Sequence, residues 1–316
     1  MSFRNGLKAG LALVLGLSLA ACSSTSQTPN SESGVEQLET KDLSVLCPTG
    51  APALAIMGLS MADEAPTIEY VDGQDALVSE LSKTDGQYDL IVAPVNAGVK
   101  TWSAAGEYQL EGVLTWGNLY IVSEGEDWDE PGKTLAVFGE SAVPGMVFRE
   151  LYPETQCTVE YYPSVAEASA ALLSGKADAA LLAQPAAAGA LAKATENGTE
   201  LSIVADLQTL WGENHEVTQS GYPQAGLFVK KEKAGQVEKA INEIQEYIAN
   251  ADEETIETGV NALGAERLGV PNAKLAAKTW KAQNIHFEKA SEVESDLKAF
   301  LNVFGIELPE DMIVAQ

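Results

Sequence analysis

The chain alternates between short apolar runs and longer stretches of good helix formers, and this alternation occurs twice in series. Such a rhythm constrains the fold strongly, because it predicts β-strands joined by covering helices in a parallel sheet. In the first series the predicted strands span residues 43–47, 67–71 and 88–93, and the predicted helices span residues 53–62 and 76–81. We therefore expect a β-α-β-α-β unit in this part of the chain.

The second series begins after an acidic, turn-rich break at residues 124–132. Its predicted strands span residues 133–138, 157–162, 177–183 and 201–207, and its predicted helices span residues 142–151, 165–174 and 184–193. The two series are similar in length and order. They predict two α/β lobes that follow one another along the chain.

The last part of the chain contains a predicted strand at residues 225–229 and at least three amphipathic helices. The first helix has an apolar stripe that packs on a sheet, and the next two helices are centred near Trp280 and near residues 293–304. The stripe consists of Val237, Ile241, Ile244 and Ile248. Since this part holds too little strand for its own α/β domain, we expect it to return to the first lobe.

These patterns predict an α/β fold of two lobes joined by two crossing segments, near residues 114–122 and 221–229. We assign residues 43–121 to the first part of lobe 1, residues 122–221 to lobe 2, and residues 222–316 to the return to lobe 1. Residues 22–42 are rich in Ser and Thr and are predicted to form a flexible tether.

Residues 1–21 have the pattern of a bacterial signal peptide. Arg4 and Lys8 precede an apolar run at residues 9–21, which is shorter than the ~20 residues of a membrane span. The run ends in Leu19-Ala20-Ala21-Cys22, which resembles a lipobox. The resemblance implies cleavage before Cys22 and attachment of a lipid to its sulfur. The alternative is an ordinary signal peptide followed by an incidental cysteine.

The net charge excludes one large class of partner. The chain has 46 acidic and 19 basic residues, a net charge of −27, and no run of five or more Lys or Arg residues offsets it locally. Because phosphate backbones are repelled by such a surface, we expect no binding to nucleic acid. Cys47 and Cys157 fall in different predicted lobes, which favours two buried, unpaired thiols over one disulfide.

No segment of the sequence has the residues that a known catalytic or metal-binding motif requires. The segment Gly139-Glu140-Ser141-Ala142-Val143 lies where a nucleophile elbow would lie, but it has Val143 where the elbow needs glycine. The chain has two isolated histidines and no paired cysteines, so we expect no metal site, no cofactor and no enzymatic activity.

Four loops at the carboxyl ends of predicted strands remain as candidate ligand sites. Open parallel sheets bind ligands at this edge, where helix starts offer backbone N–H groups to a small anionic or polar group. The loop candidates are Thr49, Gly50, Ala51, Asn96, Gly139, Glu140, Ser141, Ala142 and Gln184. The candidates on the crossing segments are Trp116, Asn118, Tyr222 and Gln224.

Two segments resemble the solute-binding lipoproteins of bacterial ABC importers, of the nitrate, sulfonate and taurine class. The segment LCPTGAPALA at residues 46–55 is similar to their opening motif, and Asn284-Ile285-His286-Phe287 is similar to part of their ending. The resemblance implies a type II periplasmic-binding fold that closes over a small-molecule solute. It also implies an extracytoplasmic, lipid-anchored protein on the cell membrane, which delivers its solute to the transmembrane subunits of an ABC permease.

The nature of the solute and one alternative class of function stay open at this point. Arg149 is the nearest arginine to the candidate loops and lies two turns into a predicted helix, which disfavours a strongly anionic solute. The alternative is a protein of the same fold without a transport role, either an enzyme acting on a small metabolite or a surface sensor or adhesin.

Overall fold

A computed structural model of the chain describes residues 36–315. The predicted signal peptide, Cys22 and most of the predicted tether lie outside the described residues. The strands are β1 (Ser44–Pro48), β2 (Thr67–Val71), β3 (Leu90–Pro94), β4 (Tyr108–Thr115), β5 (Leu119–Ser123), β6 (Thr134–Phe138), β7 (Thr158–Tyr162), β8 (Ala179–Ala183), β9 (Ser202–Asp206), β10 (Ala225–Lys230) and β11 (Ile285–Lys289).

The helices of this part of the chain are mostly short, and those of the second series are close to their predicted bounds. They are α1 (Ala51–Ala55), α2 (Met57–Met61), α3 (Asp75–Leu81), α4 (Val95–Ala105), α5 (Val143–Leu151), α6 (Val165–Leu173), α7 (Ala186–Glu196), α8 (Leu207–Asn214), α9 (Glu238–Asn250), α10 (Glu253–Leu263), α11 (Ala265–Leu268), α12 (Ala273–Lys278) and α13 (Glu294–Val303). Across residues 36–315 each helix is too short or too polar to cross a bilayer.

The strands form two mixed sheets, one in each lobe. The first sheet has the order β11-β4-β10-β3-β1-β2, and the second has the order β7-β6-β8-β5-β9. In each sheet three neighbouring strands pair in parallel, namely β3-β1-β2 and β7-β6-β8. The two-lobed α/β fold is confirmed. The parallel pairing predicted for the first series is found in β3-β1-β2, but each sheet also contains antiparallel pairs, because strands that connect the lobes enter it in the opposite direction, as β5 and β10 do.

The crossing segments are bonded to one another where they pass between the sheets. The Trp116 carbonyl accepts hydrogen bonds from the Tyr222 backbone N–H (3.1 Å) and from the Asn284 side-chain amide (2.7 Å). The Gln224 backbone N–H donates to the Thr115 carbonyl at 2.9 Å. Hydrogen bonds between the crossing segments therefore help to join the two lobes.

Local sequence explains several of the helix starts. Pro52 and Pro144 lie in the first turns of α1 and α5, where a missing N–H removes no helical bond. Ser164 caps α6 by accepting from the Glu167 N–H at 3.2 Å, and Asp206 caps α8 by accepting from the Gln208 N–H at 2.9 Å. These residues fix where α1, α5, α6 and α8 begin.

The last helix is packed against the second lobe as well as the first. Phe300 of α13 is fully buried, and its ring centroid lies 6.0 Å from that of Trp211 in α8 and 5.8 Å from that of Tyr222. Strands β10 and β11 lie in the first sheet. The assignment of residues 222–316 to lobe 1 stays a prediction, and α13 adds a contact between the lobes that the sequence pattern did not indicate.

Cys47 and Cys157 are both buried free thiols. Burial raises the pKa of the Cys47 thiol well above its usual range, and it raises the pKa of Cys157 to about 12. Neither thiol is therefore ionised at neutral pH.

Candidate functional site

A cleft of about 680 Å³ lies between the two sheets, within the size range of small-molecule sites. It is lined at the carboxyl ends of all six parallel strands, three from each sheet. Open α/β sheets bind ligands at this edge, because the loops there lead from strand ends to helix starts. The cleft therefore lies where the sequence predicts a ligand, and both lobes contribute to it.

Ten of the sequence candidates line this cleft. They are Thr49, Gly50, Ala51, Asn118, Gly139, Glu140, Ser141, Ala142, Gln184 and Gln224. Their contact with a ligand stays a prediction, but the fold brings them to one surface from positions up to 175 residues apart.

The loop after β1 is held by hydrogen bonds from three sides. The Thr49 N–H donates to the Val71 carbonyl (3.0 Å), the Gly50 N–H donates to the Leu268 carbonyl (2.8 Å), and the Thr49 hydroxyl donates to Asp72 Oδ1 (2.8 Å). Gly50 has φ +89° and ψ −146°, a conformation that side chains rarely adopt. A substitution at Gly50 therefore strains the backbone as well as filling the cleft.

The loop after β6 faces it from the second lobe. The Gly139 N–H donates to the Tyr162 carbonyl (3.0 Å), and the Ala142 N–H donates to the Gly139 carbonyl (2.9 Å). The Arg149 guanidinium donates to the Glu140 carbonyl (2.8 Å) and to the Tyr161 hydroxyl (3.0 Å). Arg149 thus supports the loop and does not line the cleft itself.

Buried amide side chains lie where the crossing segments meet the cleft. Asn118, which is 4% exposed, donates its amide N–H to the Gln184 carbonyl at 3.0 Å, and the Gln184 N–H donates to the Asn118 carbonyl at 3.0 Å. Asn118 Oδ1 and Gln224 Oε1 are buried acceptors without a hydrogen-bond partner among residues 36–315. A buried acceptor without a donor costs about 1–3 kcal/mol, so each marks a place for a donor from an occupant.

Three sequence candidates do not line the cleft, and the structure gives each another environment. Trp116 is fully buried, and its indole stacks on His286 with the ring centroids 5.1 Å apart. Tyr222 is fully buried in the cluster with Trp211 and Phe300. Asn96 lies in the first turn of α4, two residues after Pro94 of the cleft lining, and its Oδ1 is a third buried acceptor without a partner in the described chain.

Sequence reasoning missed several lining residues. Asp72 and Asp75 follow β2, and Pro163 and Ser164 follow β7. The rule that selected the other loops applies equally to these two, since both strands were predicted. Gly269 also lines the cleft, but no local signal indicates it, because only the tertiary fold brings it against Thr49.

The charge of the lining is entirely negative. Asp72, Asp75 and Glu140 are exposed carboxylates, and the other residues that line the cleft include no lysine, arginine or histidine. His215 stacks on Trp211, with its Nε2 3.2 Å from Glu150 Oε1, and burial lowers the pKa of His286 to about 4. Ser141 therefore shares the cleft with no histidine base. No group of three metal-ligating side chains occurs among residues 36–315.

The sequence matches no protein-family model, and none of the curated proteins matches it. Solved structures do resemble it. An ABC transporter structure from Parabacteroides distasonis has a TM-score of 0.73 at 20% identity, covering 88% of this chain and 99% of that chain. The periplasmic aliphatic sulphonate binding protein SsuA from Escherichia coli has a TM-score of 0.59 at 14% identity, covering 87% of this chain and 92% of that chain.

A third similar structure is the alkanesulfonate-binding protein SsuA from Xanthomonas axonopodis pv. citri, bound to MOPS. Its TM-score is 0.55 at 15% identity, covering 88% of this chain and 97% of that chain. At these identities the likeness concerns the fold, and it extends over nearly the whole described chain. The chain therefore has the two-lobed fold of periplasmic solute-binding proteins.

Proposed function

We propose that this protein is an extracytoplasmic, lipid-anchored solute-binding protein that delivers a small molecule to the permease of an ABC importer. The observation that carries the proposal is the cleft between the lobes, lined at the carboxyl ends of three parallel strands from each sheet. A site shared by two lobes suits a protein that closes over its solute, because closure increases contact from both sides.

The interior of the cleft favours binding over catalysis. Its only hydroxyl side chains are those of Thr49, Ser141 and Ser164. The Thr49 hydroxyl donates to Asp72, and Ser164 donates to Glu167 while it caps α6. Since the lining includes no histidine or lysine that could activate Ser141, we assign the cleft to reversible binding.

The binding role is tested on residues 23–316, purified without the lipid. We expect one solute bound per chain, released unchanged when the protein is denatured, and protection of residues 114–122 and 221–229 from hydrogen exchange when the solute is present. Chemical conversion of the solute by the purified protein would contradict the proposal and favour an enzyme. Unaltered exchange in the crossing segments would contradict closure of the lobes.

The anchor is supported by the lipobox-like segment Leu19-Ala20-Ala21-Cys22 and by the Ser- and Thr-rich tether that follows it. We expect Cys22→Ser to move the full chain from the membrane fraction to the soluble or secreted fraction, because the sulfur that carries the lipid is lost. Cys47→Ser is the matched control, since it removes a buried thiol and leaves the lipobox intact. Unchanged membrane partition of Cys22→Ser would refute lipidation.

A further inference from the structure

The deep part of the cleft presents hydrogen-bond acceptors that lack donors. Asn118 is 4% exposed and lines the cleft, one of its two amide N–H groups donates to the Gln184 carbonyl, and its Oδ1 has no partner among residues 36–315. Gln224 Oε1 is likewise a buried acceptor without a partner in the described chain, and Gln224 lies on the other crossing segment. An occupant that satisfies these oxygens must bring N–H or O–H groups.

Five backbone donors of the facing loops are already used within the protein. The N–H groups that donate to carbonyls within the protein are those of Thr49, Gly50, Gly139, Ala142 and Gln184. Proline, which has no N–H, occupies the first turn of α1 at Pro52 and of α5 at Pro144, and it precedes α7 at Pro185. Each of these prolines removes one N–H group that an anion at the helix start would otherwise use.

Helix starts attract anions through their dipoles, but acidic side chains of the protein already lie in the first turns of two helices. Asp75 is the first residue of α3, and Glu167 lies in the first turn of α6, where it accepts from the Ser164 hydroxyl. Asp72 and Asp75 come from the first lobe and Glu140 from the second. Because the lining holds no cationic side chain, these carboxylates give the cleft a negative potential from both sides.

From these observations we infer that the solute is an organic cation with N–H donors, such as an amine, an amidine or a guanidine. Its N–H groups face the Asn118 and Gln224 oxygens, and its positive charge lies among the carboxylates of the two lobes. The inference rests on the proposed function and specifies its solute class. It sets this chain apart from the sulfonate-binding proteins of the same fold, whose solutes carry the opposite charge.

The first experiment identifies the charge of the natural solute. Residues 23–316 are purified without dialysis, and the molecules released by heat are identified by mass spectrometry. A thermal-shift assay then compares two probes that share a four-carbon chain, 1,4-diaminobutane and butane-1-sulfonate. We expect a released cation with N–H groups, and stabilisation by the diamine only. A released sulfonate, carboxylate or phosphate would overturn the inference and leave the proposed function standing. A protein that releases nothing and is stabilised by no amine, amide, sugar or organic acid would contradict both.

The second experiment reads the sign of the charge from the protein side. Glu140→Gln removes one carboxylate from the cleft and keeps the backbone carbonyl that Arg149 binds. Glu196→Gln removes the same charge at the far end of α7, about 15 Å along the helix from the cleft. With 1,4-diaminobutane in calorimetry, we expect Glu140→Gln to raise the Kd about two- to fivefold, and Glu196→Gln to leave it unchanged. A Kd for Glu140→Gln that is unchanged or lower would overturn the inference.

Discussion

Replacing Gly221 by alanine tests how the two crossing segments are joined. Gly221 has φ +93°, and a Cβ atom at this position would overlap the Trp116 carbonyl oxygen and lie 2.8 Å from the Asn284 amide nitrogen. That carbonyl accepts from the Tyr222 N–H and from Asn284. The substitution therefore strains the backbone and separates groups that hold the lobes together.

The magnitude follows from a matched glycine elsewhere in the chain. Gly235 has φ +77°, but a Cβ there meets no atom within 4 Å, so Gly235→Ala carries the backbone cost of about 1–2 kcal/mol and little else. Gly221→Ala carries the same backbone cost and also weakens two hydrogen bonds, each of which contributes about 0.5–1.5 kcal/mol to stability. We expect its loss of stability to exceed that of Gly235→Ala by about 1–3 kcal/mol.

Urea unfolding of both variants and of the parent chain, at one temperature and pH, measures this difference as a change of midpoint at constant slope. The effect of alanine on the unfolded chain is shared by both variants and cancels in the comparison. If the two variants lose the same stability, to within about 0.5 kcal/mol, the crossing segments are not joined at the Trp116 carbonyl, and the reasoning is refuted.

Three further substitutions test the pH response, the cleft and the interlobe contact. Burial lowers the pKa of His286 from 6.5 to about 4, so the unfolded chain takes up a proton that the folded chain does not. Stability therefore falls between pH 7 and pH 4.5, by roughly 2 kcal/mol once solvent screening of this partly exposed ring is allowed for. His286→Phe removes this loss, and urea unfolding at pH 7 and 4.5 measures it. A pH slope equal to that of the parent chain would contradict this. Ser141→Trp, at an exposed position of the cleft, should abolish solute binding in calorimetry with little change of Tm, whereas a large fall in Tm would make the position structural. Phe300→Ala should lose about 3–5 kcal/mol in urea unfolding, more than Phe304→Ala at its half-buried neighbour, and equal losses would argue against its contacts with Tyr222.

Much of the local structure is predictable because its causes are local. The strand Thr67–Val71 was predicted with its bounds, and β6, β8 and α5 differ by only one or two residues at one end. The sequence analysis missed α8, whose start depends on the Asp206 cap, and it treated this stretch as part of a strand and a loop. It also missed β11, which is a short, irregular edge strand whose pairing with β4 shifts register. Such a segment becomes a strand because it pairs with its neighbour, and its own residues give little indication of this.

The candidate site divides in the same way. The loops after β1, β6 and β8 could be selected from sequence, since each lies between a predicted strand and a predicted helix. The deep location of Trp116 and Tyr222 could not be predicted, because an aromatic residue on a crossing segment is equally suited to packing and to ligand contact. The structure shows that both residues serve packing, because Trp116 stacks on His286 and Tyr222 stacks on Phe300.

Sequence alone determined that this chain forms strands and helices in two similar series, and that the loops between them are small and polar, because periodicity, helix caps and turn residues act over a few positions. Tertiary structure alone decided which of those loops meet. Asn118 and Gln184 are 66 residues apart, and yet the Asn118 side-chain amide donates to the Gln184 backbone carbonyl and the Gln184 backbone N–H donates to the Asn118 backbone carbonyl. The negative lining of the cleft is likewise a property of three carboxylates from two lobes, and such a juxtaposition depends on packing between distant segments, which no local pattern encodes.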